Sequence, residues 1–239
     1  LVGLCATLGL LAGRASLAAP AFEDTIAQRT LACTACHGEQ GRAGPDGYYP
    51  RLAGKPAGYL YNQLLNFRDG RRHYGLMTHM VSLMSDAYLA ELARYFAAMQ
   101  VPYPPPAVAP VAPAPEALLR GEKLARQGDE VVKLPACIQC HGERLMGTQP
   151  NVPALLGLPA DYLMAQLGGW KTGQRKALTP DCMTSVVRRL SDADAMAVVT
   201  WLAAQPVPAD TAPAAVPPAS APPPPELRCG SAPLPGATP

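Results

Sequence analysis

Cys33-Thr34-Ala35-Cys36-His37-Gly38 and Cys137-Ile138-Gln139-Cys140-His141-Gly142 decide how the rest of this chain is read. Two thiols three positions apart, followed at once by an imidazole, form the signature of c-type haem attachment. The thiols add across the porphyrin vinyl groups as thioethers, and the histidine is carried beneath the iron as its proximal ligand. The motif nominates Cys33, Cys36, Cys137 and Cys140 as attachment residues and His37 and His141 as iron ligands, with one covalent haem c per copy. Three other readings compete and are weaker. A dithiol redox motif needs a strand-to-helix setting that neither copy has. Two zinc half-sites would have to meet across about a hundred residues of chain. Buried structural cysteines give no reason for an adjacent histidine to recur.

The two copies belong to a longer repeat. Pro50, Gly54, Pro56, Tyr59, Leu60, Gln63, Leu64, Phe67 and Gly70 match Pro153, Gly157, Pro159, Tyr162, Leu163, Gln166, Leu167, Trp170 and Gly173. Further on, Met77, Ser85, Asp86, Tyr95, Val101 and Pro102 match Met183, Ser191, Asp192, Trp201, Val207 and Pro208. The offset moves from 104 to 103 to 106, so the small insertions fall between motifs.

Periodicity predicts helices. Leu60, Leu64 and Phe67 recur at i, i+4, i+7, as do Leu163, Leu167 and Trp170, and each run meets a glycine suited to ending a helix. Ser85 and Ser191 are N-cap residues with an acid just inside each helix. The helices they open are expected to bury Leu89, Leu92 and Phe96 in one copy, and Met196, Val199 and Leu202 in the other. A further helix over about Glu116–Gln127 leads into the second motif, with a shorter counterpart near Asp24–Arg29. No window alternates with period two, so little sheet is expected.

The repeat also ranks the sixth iron ligand. Met77, Met80 and Met84 cluster in the first copy, but Met80 matches Val186 and Met84 matches Leu190, neither of which binds iron. Met77 matches Met183, and both lie eight residues before the capping serine. Met77 and Met183 are therefore the expected ligands, with His79 the rival at the first site and His73 also available there. The second copy has no histidine besides His141, which rules out two histidine ligands from its own residues. Thioether ligation favours reduced iron and raises the potential.

Composition sets the organisation. The chain has 239 residues and 28 prolines, and 19 of those prolines lie within 102–115 and 206–239. Such proline density reads as extended linker and tail. The expected division is a secretory remnant at 1–19, domains at 20–101 and 116–208, a proline-rich linker at 102–115 and a proline-rich tail at 209–239. Residues 1–12 form an apolar run with small residues following at 15–19, the pattern of an export signal. That run is shorter than the roughly 20 residues of a spanning helix, so an uncleaved anchor is the weaker reading. Export places the chain in a periplasm, where spare cysteines pair. A net charge of +2, spread evenly over both copies, argues against nucleic-acid binding.

With both Cys-x-x-Cys-His motifs, Tyr-Pro-Arg-Leu-Ala-Gly at 49–54, Gly-Arg-Arg at 70–72 and Leu-Ser-Asp at 190–192, the chain resembles the dihaem cytochrome c4-type family. The resemblance spans about 21–101 and 116–208. It implies an all-α fold of two tandem class I cytochrome c domains, related by a pseudo-twofold that packs the haem edges together. It further implies two covalently attached haem c groups with axial pairs His37/Met77 and His141/Met183, and no catalytic residues. Pro45 and Pro150 are then expected in loops that orient the proximal histidines. Arg51 is either a propionate contact or an ordinary surface arginine.

Three features depart from the family pattern: the proline-rich linker, the tail, and Cys182 with Cys229. A Cys182–Cys229 disulfide would pin the tail beside the second site, whereas a free Cys182 would offer a thiolate next to Met183. The leading expectation is a periplasmic electron carrier between a respiratory donor (a dehydrogenase or cytochrome complex) and a terminal oxidase or reductase, with membrane-bound partners included. A cytochrome subunit of a larger dehydrogenase, docking through the tail, is the alternative. A sulfur-oxidising dihaem enzyme using Cys182 is the third.

Overall fold

A computed structural model describes residues 23–44, 48–105, 112–215 and 228–236. The secretory stretch, Cys5 and Pro45 lie outside the described residues. The first lobe is built from α1 (Ile26–Arg29), α2 (Leu31–His37), α3 (Ala57–Arg68), α4 (Gly75–Val81) and α5 (Asp86–Ala97). The second contains α6 (Pro115–Arg126), α7 (Ile138–His141), α8 (Ala160–Thr172), α9 (Cys182–Val187) and α10 (Asp192–Ala204). Among the described residues only isolated β-bridges occur, and no helix is long and apolar enough to cross a membrane.

Local chemistry sets the boundaries. Ser85 Oγ accepts the Tyr88 N–H and Ser191 Oγ the Asp194 N–H, each meeting a donor that the helix start leaves unpaired. Gly173 ends α8 at φ +77°, and Gly70 stands at φ +74° just past α3, where a side chain would be strained. Pro115 opens α6 at a position that needs no N–H.

Each lobe has its own apolar core. In the first, Leu60, Leu65, Phe67, Leu89 and Phe96 are buried between α3 and α5. In the second, α6 crosses α10 closely enough that Leu124 and Ala125 pack on Val198, Trp201 and Leu202. Gly121 makes that crossing possible. A Cβ there would stand 2.2 Å from the Ala197 carbonyl oxygen and 2.6 Å from Trp201 Cβ.

Three expectations change. Met196 is 55% exposed, because the helix face that turns inward carries Ala195, Val198, Val199 and Leu202. Under the offset of 106 the counterpart of buried Leu89 is Ala195, so the repeat already favoured that face. Arg51 is not a surface arginine, and it lines a cavity of the first lobe. It is 3% exposed, donates to the carbonyls of Ala53, Pro102 and Val101, and lies 3.9 Å from the Tyr103 ring centre. Its role is to anchor the start of the linker. The described tail is extended but packed on its own chain: Arg144 holds Asp210, Ala214 bridges Thr148, and Leu234 joins the first core.

Candidate functional site

Both Cys-x-x-Cys-His motifs run along or into a short helix that ends at a glycine. Gly38 and Gly142 take φ +75° and +80°, turning the chain back so that the His37 carbonyl accepts the Ala43 N–H and the His141 carbonyl the Gly147 N–H. A Cβ on Gly38 would meet the Ala43 carbonyl oxygen at 2.3 Å. The turn brings a proline carbonyl under each imidazole. His37 Nδ1 lies 2.8 Å from the Pro50 carbonyl oxygen, and His141 Nδ1 2.7 Å from that of Pro153. A carbonyl only accepts, so Nδ1 carries the proton and Nε2 keeps its lone pair. Burial lowers the pKa of both histidines and keeps the rings neutral, the form that ligates metal. Pro50 and Pro153, matched by the repeat, thus orient the imidazoles, a part expected of Pro150 in the second lobe. Pro150 instead presents its carbonyl towards Gly58 of the other lobe.

The expected site residues gather in two cavities. Cys33, Cys36, His37 and Met77 line one of about 600 Å³ in the first lobe. Cys137, Cys140, His141 and Met183 line one of about 210 Å³ in the second. Met80, Met84 and His73 also line the first, whereas His79 is exposed and away from its walls. Met183 is the one methionine among the described residues lining the second. None of the four motif cysteines is in a disulfide. Burial raises the pKa of Cys33 and Cys140 and pushes Cys137 up to about 11, the reverse of the lowered pKa of a dithiol redox centre. The two motifs line separate cavities, so they do not close one zinc site. Cys182 is joined to Cys229 in a disulfide, which removes the thiolate alternative and the sulfur chemistry built on it.

The cavities share a wall that sequence reading missed. Lys55, Tyr59, Gln63, Tyr162, Gln166 and Arg175 line both. Here the backbones of the two lobes join: Arg72 and Arg175 form an antiparallel bridge, His73 N donates to the Gln174 carbonyl, and Lys176 N to that of Arg71. Arg72 donates to Gln63 and Gln166, and Arg175 donates to the same two amides and to Tyr59. Arg72 lies 4.5 Å from the Phe67 ring centre and Arg175 3.8 Å from that of Trp170. Each pair consists of residues matched by the repeat, as a two-fold relation between lobes requires. The signal was present, since the offset of 103 that pairs Gly70 with Gly173 also pairs Arg72 with Arg175.

These cations carry unneutralised charge. Lys55 and Arg175 are 5% and 7% exposed, and no carboxylate among the described residues pairs with them or with Arg72. Burial pushes the Tyr59 phenol up, but Arg175, Arg72 and Lys55 together outweigh it and lower its pKa. Trp170 Nε1, in the wall of the second cavity, is buried without a partner. Thiols, neutral imidazoles with a free Nε2, thioethers, apolar walls and spare cationic donors are the set that a porphyrin dicarboxylate requires.

No family model matches the chain. It is 41% identical over 202 residues to the thiosulfate dehydrogenase electron acceptor of Thiomonas intermedia, covering 84% of this chain and 89% of that one. It is 34% identical over 209 residues to cytochrome c4 of Pseudomonas aeruginosa, covering 84% and 96%. The chain belongs to the cytochrome c4 family. The crystal structure of reduced recombinant cytochrome c4 from Pseudomonas stutzeri matches with a TM-score of 0.62 and 30% identity, over 74% of this chain and 94% of that one. The cytochrome c4 family has two covalent haem c groups on tandem helical domains, and this chain is an electron carrier of that kind rather than an enzyme.

Proposed function

We propose that this chain carries electrons in the periplasm from a thiosulfate-oxidising dehydrogenase to a terminal oxidase or reductase. Its domains correspond to 20–101 and 116–208. Cys33 and Cys36 hold one haem between His37 and Met77, and Cys137 and Cys140 hold the other between His141 and Met183. The observation that carries this reading is the pair of imidazoles, each with Nδ1 bound to a matched proline carbonyl in a cavity walled by the two motif cysteines and by Met77 or Met183. A haem held there would supply one-electron chemistry.

The protein's own contribution is orientation and electrostatics. Pro50 and Pro153 hold the imidazole planes, and the apolar walls exclude water. Lys55, Arg72 and Arg175 supply positive charge at the shared wall, where the carboxylates of the bound groups need it. The donor assignment draws on the thiosulfate dehydrogenase electron acceptor of Thiomonas intermedia. The described parts of the tail, 209–215 and 228–236, pack on their own chain. The test is an absorption assay with thiosulfate. Thiosulfate should reduce the protein only when a thiosulfate dehydrogenase is present, and no reduction in its presence would reject this donor.

A further inference from the structure

We infer that residues 228–236 form a disulfide-anchored strap that closes the second site to partner proteins, so that electrons enter and leave through the first. This inference rests on the carrier reading and assigns each lobe a different place in it.

The strap begins at the disulfide from Cys229 to Cys182, the first residue of α9 and the neighbour of Met183. Gly230 then lies flat against the loop before α9: its N–H donates to the Pro180 carbonyl at 2.7 Å. A Cβ on Gly230 would stand 2.5 Å from the Thr179 carbonyl oxygen and 2.6 Å from that of Leu178, so only glycine fits. Cys229, Gly230 and Ser231 are part of the wall of the second cavity. Ser231 Oγ accepts from Asn151, still within the second lobe.

The chain then crosses to the first lobe. Ala232 N donates to Asn62 Oδ1 at 2.8 Å, and Asn62 Nδ2 donates back to the Ala232 carbonyl at 3.4 Å, a two-point clamp on α3. Ala232 and Leu234 pack on the first core, and Arg94 holds the Pro235 carbonyl. The strap therefore covers the seam where α3 meets the 150–151 loop, and it ties the second site shut to the other lobe.

Nothing comparable covers the first site among the described residues. The residue matched to Cys182 is Leu76, which is 62% exposed. With Tyr48 and Met80, at 61% and 45%, Leu76 leaves an open apolar rim on the first cavity. Two sites equivalent in their repeat-matched residues thus differ in their rims, the second walled in part by the tail and the first by exposed apolar side chains.

Stopped-flow mixing of the oxidised holoprotein with a reduced monohaem cytochrome c as donor tests this. One electron from a first donor enters the first site and passes inward, and a second donor then refills it, giving two oxidised donors per reduced chain. Two phases are expected. The first should scale with donor concentration, and the second should level off at high donor concentration, where inward transfer sets its rate. In the Cys182→Ser/Cys229→Ser variant the second phase should rise nearly in proportion, by about tenfold over a tenfold donor range. Ala232→Pro, which removes the N–H given to Asn62 and leaves the disulfide in place, should do the same in part. Hydrogen exchange of the oxidised variants should quicken at the α9 amides, a readout independent of electron transfer. A second phase that does not level off in the wild type, or variants whose second phase and α9 exchange are unchanged, would overturn the strap. Absence of any reduction would instead overturn the carrier reading on which it rests.

Discussion

Two glycines in the second lobe should respond to the same substitution with opposite signs. Gly121 sits on α6 where it crosses α10, and an added Cβ would come within 2.2 Å of the Ala197 carbonyl oxygen, 2.6 Å of Trp201 Cβ and 2.8 Å of the Ala197 carbonyl carbon. Ordinary carbon contacts begin near about 3.5 Å, so the helices must part by about 1 Å. The obstructing atoms are backbone and a Cβ, which cannot swing aside. Parting the helices loosens Leu124, Ala125, Val198 and Trp201, all buried at the crossing. Overpacking of this kind costs about 1–3 kcal/mol. Gly168 lies on α8, away from the crossing, with nothing within 4 Å of its added Cβ. There alanine should stabilise by about 0.5–1 kcal/mol, through the reduced freedom of the unfolded chain. For a lobe of this size, each kcal/mol moves the midpoint by about 4–8 °C. Thermal unfolding of holoprotein followed by circular dichroism should therefore place Gly121→Ala below wild type and Gly168→Ala slightly above. Equal midpoints for both variants would refute the close crossing of α6 and α10.

The shared wall and the surface charges carry further predictions. Arg175→Gln removes a cation next to both cavities, so it should lower the reduction potentials of both centres, because the oxidised state is the more positively charged. Spectroelectrochemical titration reads the shift, and unchanged potentials would remove Arg175 from the electrostatics of the wall. Arg120 hydrogen-bonds to Asp129 and Asp194 and holds both carboxyls below the usual range. A carboxylate with a depressed folded pKa adds stability above its unfolded pKa and loses it as pH falls through the folded one. Urea midpoints should therefore drop as pH falls below about 4, the unfolded carboxylate value, and should drop less in Arg120→Gln. Identical pH profiles would refute the clamp.

Much of the fold was legible because a repeat confirms its own signals. Ser85 and Ser191 cap helices in the structure as their spacing implied, and the glycines after α3 and α8 stand at positive φ. What escaped depends on tertiary encounter. Met196 follows the same spacing as Val199 and Leu202, yet successive steps of three residues rotate it off the buried face. Sequence left Arg51 open between a propionate contact and a surface residue because it does not reveal which carbonyls will surround a guanidinium, here those of Ala53, Val101 and Pro102. The histidine clamps were hidden because the acceptors are backbone atoms of Pro50 and Pro153, which carry no side-chain signature. The tail has the composition of an unpacked segment, and the docking of 228–236 relies on one disulfide, one glycine, an Asn62 amide and two isolated apolar side chains, Ala232 and Leu234, rather than on a periodic apolar pattern.

Peptide mass spectrometry of the purified holoprotein, digested without reduction, tests the central claim most directly. The account predicts one haem mass on the peptide holding Cys33 and Cys36, and one on the peptide holding Cys137 and Cys140, with Cys182 joined to Cys229. A haem on only one of these peptides, or a disulfide within either motif, would contradict it.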